Sequence, residues 1–419
     1  MSLKMKSNYD LEISGMSSKE WIEVRLGDLL NFRRGHDLPK DKIISGKIPV
    51  VGSNGIIGFH NEYTTKAPCL TIGRSGNIGN PFYKNEDCWA HNTTLYVDNF
   101  KSNDPKYLFY LLQTMNLAFY GGGSAVPTLN RNHIHPLLVK YTQNVYEQKT
   151  IADTLLCLDD KIELNNRINK NLEEMAQTIF KSWFVDFEPF QDGEFEDSEL
   201  GKIPKRWEVG TISKLISETI GGDWGKEISE SNYSEEVTCI RGADIPEISI
   251  GRKGRCPTRY ILKKNLEKKK LTAGQIVIEI SGGSPTQSTG RSVLVTENLL
   301  KSSNRPLICT NFCRSISLKD PFLTSYVYSL LQFMYKKDFL FQFENGTTGI
   351  KNLDTNNLFN KYLIVIPPKI ELLKFERIFE LIMSNIYENG RQSDYLNETL
   401  SIILPKLMSG EIRVPVQED

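Results

Sequence analysis

Two stretches of this chain carry apolar residues at alternating steps of three and four, and no other feature restricts its architecture as much. The first runs Ile151, Leu155, Leu158, Ile162, Asn165, Asn169, Leu172, Ala176, Ile179. The second runs Leu372, Phe375, Phe379, Ile382, Ile386, Asn389, Ser393, Leu396, Leu400, Ile403, Leu407. Such spacing puts one residue per turn on a single helical stripe, the seam of a coiled coil. Both seams turn polar in the middle, and a buried polar group is costly unless it meets another. Antiparallel pairing with Asn165 against Ser393 and Asn169 against Asn389 gives each a partner. The same register sets Ile151 against Leu407, Leu158 against Leu400, Leu172 against Ile386 and Ile179 against Phe379.

The rest of the chain is one pattern written twice. Each half opens on a tryptophan followed by alternating apolar residues, WIEVRL from Trp21 and WEVGTI from Trp207. Short strand-like segments broken by Gly, Asn and Pro follow: IPVVGSNGIIGFH and CLTIGRSGNIG, then TCIRGADIPEI and GQIVIEISGGS. Each half continues with an aromatic helical stretch (105–119 and 321–339), a Gly-rich turn (GGGSAVPTLN and ENGTTGIKNL) and a closing strand. His133 and His135 are expected to alternate along the first closing strand, and Pro405 to end the second long helix. The predicted fold is α+β: two mixed α/β domains (21–145 and 207–370) separated by two long helices (146–184 and 371–408) that form an antiparallel coiled coil. An N-terminal tail (1–20), an acidic linker (185–206) and a C-terminal tail (409–419) complete it.

Composition sets outer limits. A chain of 419 residues with 39% hydrophobic and 24% charged content is an ordinary globular protein of two to four units. No apolar run is long enough to span a bilayer, and the first ten residues are polar, which predicts a cytoplasmic protein that uses no membrane. The seven cysteines form no CxxC pair and are expected to be reduced thiols. Net charge is zero, yet residues 201–320 carry 20 Lys/Arg against 13 Asp/Glu, an excess of the sign that attracts phosphate. Residues 185–200 contain no basic residue.

No catalytic motif emerges. Gly221–Lys226 lacks P-loop spacing, no Asn-Pro-Pro-Tyr or Asp-Pro-Pro-Tyr segment occurs, and the histidines show no metal-ligand pattern. Glu147-Gln148-Lys149 has the local spacing of a nuclease set but no upstream Asp, and reads as surface charge. The polar loops suit DNA better. Arg and Asn make bidentate contacts to guanine and adenine edges, and glycines let backbone approach phosphate. Asn54, then Arg74, Ser75 and Asn77, then His91 and Asn92 are the candidates in the first half. Arg241 and the loop bearing Ser284, Thr286, Gln287 and Arg291 are those of the second, with Lys253 and Lys269 in a basic run positioned to hold the DNA backbone. Helices paired over roughly 30 residues make a rod of about 45 Å, a little over one turn of duplex.

The layout, the GSNGIIG and IGRSGNIG segments, the helix QKTIADTLLCLDDKIELNNRINKNLEEMAQTIFKSWFVDFEP and the closing LPKLMSGEIRVP resemble the specificity subunit of type I restriction–modification systems over nearly the whole chain. The resemblance implies two target recognition domains, each reading half of a split site in double-stranded DNA, and a coiled coil that sets the spacer. It also implies two modification subunits, which bind S-adenosylmethionine and methylate adenine, and restriction subunits that use ATP and Mg. The chain itself would then be a non-catalytic subunit without cofactor or metal. The competing readings are a single-chain DNA methyltransferase or endonuclease, and a coiled-coil scaffold that binds no DNA.

Overall fold

The structure, a computed structural model, describes residues 21–122, 127–284, 286–346 and 351–415. The N-terminal tail, the centres of the two Gly-rich turns, Pro285 and the last four residues lie outside that set. The chain divides into two compact units: Met1–Asp160 with Asn397–Asp419, and Lys161–Leu396.

In unit 1, β1 (Trp21–Arg25) pairs antiparallel with β9 (Leu138–Thr142). A four-stranded sheet joins β2 (Asn31–Arg34), β8 (Thr94–Asn99), β5 (Cys69–Gly73) and β6 (Pro81–Lys84) in that order. A three-stranded sheet joins β4 (Gly55–His60), β3 (Ile48–Gly52) and β7 (Trp89–Ala90), with β3 and β7 parallel. Beside a small sheet of Ser281–Gly282, Lys351–Leu353 and Glu344–Asn345 and a hairpin ahead of Trp207, the strands of unit 2 that correspond to these are β10 (Glu208–Thr211), β11 (Ile216–Gly221), β12 (Tyr233–Ile240), β13 (Thr258–Leu262), β14 (Ile276–Glu279), β15 (Ser292–Leu294), β16 (Leu307–Cys309), β17 (Cys313–Leu318) and β18 (Leu363–Ile366). Their sheets are β10-β18, β11-β17-β14-β15 and β13-β12-β16, with β12 and β16 parallel. Adding nine to each strand number turns one topology into the other. The central strands β5 and β14 are buried along their whole length, which is why CLTIG and IVIE show no alternation of apolar and exposed polar residues.

Helix α1 (Pro105–Thr114) starts where Asp104 accepts from the Lys106 and Tyr107 amides and Pro105 fills the first helical position. Its counterpart in unit 2 is α3 (Thr324–Lys336). The long helices are α2 (Val145–Phe184) and α4 (Lys369–Met408). Within unit 2 they run antiparallel. Asn165 Nδ2 donates to Ser393 Oγ at 3.2 Å and to Gln392 Oε1 at 3.0 Å. Asn389 donates to Asn169 Oδ1 at 2.9 Å, and Asn169 to the Ile386 carbonyl at 3.0 Å. Leu172, Ala176 and Ile179 share one core with Ile386, Ile382 and Phe379, and the Trp183 ring lies 6.2 Å from Phe375, one seam step further on. A third element enters this polar centre: the Ile250 carbonyl accepts from Asn169 Nδ2 at 3.1 Å, close against Gly390, where a Cβ would sit 2.2 Å from that oxygen.

Several expectations are corrected. Pro405 does not end α4, which runs on to Met408 because Leu407 and Met408 are buried. The acidic linker is folded: Phe195–Ser198 and Gly201–Pro204 form a hairpin, and Phe187 and Phe190 pack on Trp207. His133 and His135 do not alternate on a strand. Asn130 caps a helical turn, Arg131–Ile134, and His135 follows it, its ring stacked on Phe32 and accepting from the Phe32 amide at 3.2 Å. Cys69 and Cys88 are joined in a disulfide, since β5 and the approach to β7 bring together two fully buried residues 19 apart in sequence. Glu147 and Gln148 are fully buried rather than surface charges. Gln148 bonds the Asn103 side chain, the Thr142 carbonyl and the Asp104 amide. Glu147 accepts from Thr142 Oγ1 at 2.7 Å and from Arg413 at 2.5 and 3.1 Å.

Candidate nucleic-acid interface

In unit 1 the loops after β3, β5 and β7 converge on Thr93. Its carbonyl accepts from the Arg74 amide at 2.8 Å and the Ser75 amide at 3.1 Å. Its hydroxyl accepts from the Ser53 amide at 3.3 Å and meets His91 Nδ1 at 3.0 Å. The Gly73–Asn80 turn closes so tightly that a Cβ on Gly73 would lie 1.8 Å from the Asn77 carbonyl, and Gly76 has φ +84°. Asn54 and Asn77 line one cavity of about 560 Å³ with Ser53, Asn80 and Phe82. Asn54 and Asn77 are exposed, and Asn77 Oδ1 accepts from Asn80 at 2.6 Å. Arg74 is half-buried, its Nη1 3.5 Å from the Asn92 carbonyl, and Asn92 donates to Asp37. Burial lowers the pKa of His91, opposed by Asp37, which favours an uncharged imidazole.

In unit 2 two guanidinium groups border the corresponding cavity, whereas none borders that of unit 1. Arg241 follows β12 and is held by Asp244, with Nε and Nη2 each at 2.9 Å from a carboxylate oxygen and Nη2 also donating to the Arg255 carbonyl at 2.9 Å. Arg291 is held by Glu279, the last residue of β14, through Nε at 2.9 Å and Nη2 at 2.5 Å. That hydrogen bonding raises the Arg291 pKa above its ordinary value against the burial that lowers it. Arg241 and Arg291 line one cavity of about 470 Å³ with Trp224, Asn311 and Phe312. Trp224 and Phe312 are 38% and 49% exposed, and rings that border one cavity with open faces are suited to stacking.

The other candidates of the second half stand apart from this cavity. Ser284 and Thr286 bond one another across their turn, and Gln287 donates to the Tyr335 hydroxyl at 3.0 Å. Lys253 is exposed, and its amide donates to Asp394 on α4 at 2.7 Å, so its segment is tied to the helix. Lys269 donates to the Gly222 carbonyl at 2.8 Å. The sequence pattern did not point to Glu279, Trp224 or Phe312. A buried acid at the end of an apolar strand leaves no periodic signal, and exposure of an aromatic is a tertiary property. Among the described residues no three His, Cys, Asp or Glu are grouped to hold a metal ion, and no helix is long and apolar enough to cross a membrane.

The family model for the type I restriction modification DNA specificity domain matches residues 18–174. The MjaIX type I restriction enzyme specificity subunit of Methanocaldococcus jannaschii is 30% identical, the match covering 74% of this chain and 69% of that protein. The HindI specificity subunit of Haemophilus influenzae is 26% identical, with 74% and 77% covered. The crystal structure of the S subunit of a type I restriction–modification system from M. genitalium shares the fold at a TM-score of 0.59 and 15% identity, covering 94% of this chain and 97% of that one.

Proposed function

The chain belongs to the type I restriction enzyme specificity subunits, and on that footing we propose that it is the DNA-reading subunit of a type I restriction–modification complex. Each unit reads one half of a bipartite site in double-stranded DNA. Two modification subunits dock on the long helices and methylate adenine with the S-adenosylmethionine they bind. Restriction subunits, with ATP and Mg, add translocation and cleavage. The chain aims these activities in the cytoplasm and catalyses none of them.

The observation that carries this reading is the duplication. The same nine-strand topology occurs twice, and in each copy a cavity opens between the loop after β3 or β12 and the loop after β5 or β14. Two copies of one reading frame suit a site made of two half-sites. Docking is supported by Leu164, Ile168 and Met175, which are 41%, 37% and 52% exposed on one face of α2 off the seam. Mapping adenine methylation across the host genome with this gene present and deleted tests the reading. One bipartite methylated motif should disappear on deletion, and an unchanged methylome would overturn it.

A further inference from the structure

Glu279 is 2% exposed and ends the central strand of unit 2. Its carboxylate occupies a slot walled by two glycines: a Cβ on Gly242 would lie 2.2 Å from Oε1, and one on Gly282 2.7 Å from it. A carboxylate so buried needs a cation, and Arg291 supplies it through one edge of its guanidinium, Nε and Nη2. The far edge is open. Nη1 has no partner among the described residues, and Arg291 borders the 470 Å³ cavity. Arg241 is braced in the same manner, but its Nη2 also serves the Arg255 carbonyl, which leaves less of its far edge available.

A guanidinium neutralised by a buried carboxylate is a poor clamp for phosphate and a good rigid pair of donors. Nη1 and the outward hydrogen of Nη2 match a base edge with two adjacent acceptors. In the major groove guanine offers O6 and N7, whereas adenine offers N7 beside a donor. Unit 1 lacks the device. Gly73 stands where β14 has Glu279, each being opposite the first residue of the neighbouring strand (Thr94 and Cys313), and the cavity of unit 1 is bordered by carboxamides. We propose that Arg291 reads a guanine in the half-site taken by unit 2, and that Glu279 is the positioning residue that aims it.

This inference rests on the proposed function, and the test separates the two. The full complex with its modification subunits is assembled with wild-type chain, Arg291→Gln or Glu279→Gln. The methylated motif is read by sequencing, and binding is measured to duplexes carrying 7-deazaguanine, which lacks the N7 acceptor, at each guanine of the site in turn. The expected result for Arg291→Gln is a loss of about 5- to 150-fold in preference for guanine at one position of one half-site, the other half-site being unchanged. Glu279→Gln should relax the same position by less, with salt dependence preserved. For the wild type, 7-deazaguanine at that position should weaken binding, an arm that does not depend on any variant folding. A wild-type motif retained by Arg291→Gln, or equal tolerance of 7-deazaguanine at every guanine, overturns the inference and leaves the function standing. No sequence-specific binding by the wild-type complex overturns both.

Discussion

The two units seat their opening tryptophans on the same kind of element and with opposite chemistry. Just past each long helix the chain turns through a residue of positive φ, Phe187 at 56° and Gly410 at 72°, and packs on a tryptophan. In unit 2, Trp207 lies among Phe184, Phe187 and Phe190 at 6.0, 5.5 and 4.9 Å between ring centroids. In unit 1, the Gly410 backbone presses on the Trp21 ring, the Arg413 guanidinium lies 6.0 Å from it, and the Trp21 indole N–H points at Glu147 at 3.4 Å. Unit 1 therefore seats its tryptophan beside a charged pair at the start of α2. Unit 2 keeps its seat apolar and places neutral carboxamides in the middle of its helix pair. One frame accepts either filling, but the two should fail differently. A missing aromatic leaves a cavity, whereas a missing arginine leaves a fully buried carboxylate without its cation.

The largest expected effect follows from that asymmetry. Arg413→Ala should destabilise unit 1 by about 3–5 kcal/mol, and joining it with Glu147→Leu should recover much of the loss. Denaturant unfolding with hydrogen exchange resolved by peptide would show it, and equal loss in the single and double variants would break the comparison. Next, Gly390→Ala should destabilise unit 2 by about 1–3 kcal/mol although alanine is the better helix former, because its Cβ would meet the Ile250 carbonyl. A gain in melting temperature would show that the loop yields. Asn169→Leu with Asn389→Leu should cost about 1–3 kcal/mol of unit 2 stability. The seam pattern alone predicts no loss, but the double variant strands the Ile250 carbonyl, whose donor is Asn169. Phe190→Leu should cost less than about 1.5 kcal/mol, since the aromatic seat can repack; a loss as large as that of Arg413→Ala would mean that the two seats are equally rigid.

The smallest effect is on pH. All five histidines lie in unit 1, and burial is the main reason that His91 and His135 have lowered pKa values. The folded state thus favours neutral imidazole. Its contribution is complete above the ordinary value of 6.5 and is lost as pH falls through it. Melts between pH 7.5 and 5.5, taken as about one unit either side of that value, should weaken unit 1 and leave unit 2 unaffected by this cause. His135→Gln should flatten part of the slope.

Much of the frame was readable beforehand. The duplicated halves follow from recurring tryptophans, turn residues and apolar runs, and the loops bearing Asn54, Arg74, Asn77, Arg241 and Arg291 stand out because glycine and polar residues interrupt strands. Which loops share a cavity was not readable. Arg241 and Arg291 meet in one, whereas Lys253 is tied to α4 and Gln287 to Tyr335. The helix register belongs to the sequence by itself, because a 3-4 repeat with one polar interruption per helix admits one antiparallel alignment that pairs polar with polar. The partners of the buried charges belong to the tertiary structure. Glu147 meets Arg413 across 266 residues, and Glu279 meets Arg291 across a glycine-walled slot. The reason is physical: periodicity records which side of an element faces inward, but whether an inward acid is tolerable depends on a cation delivered by another segment, and no local pattern encodes that delivery.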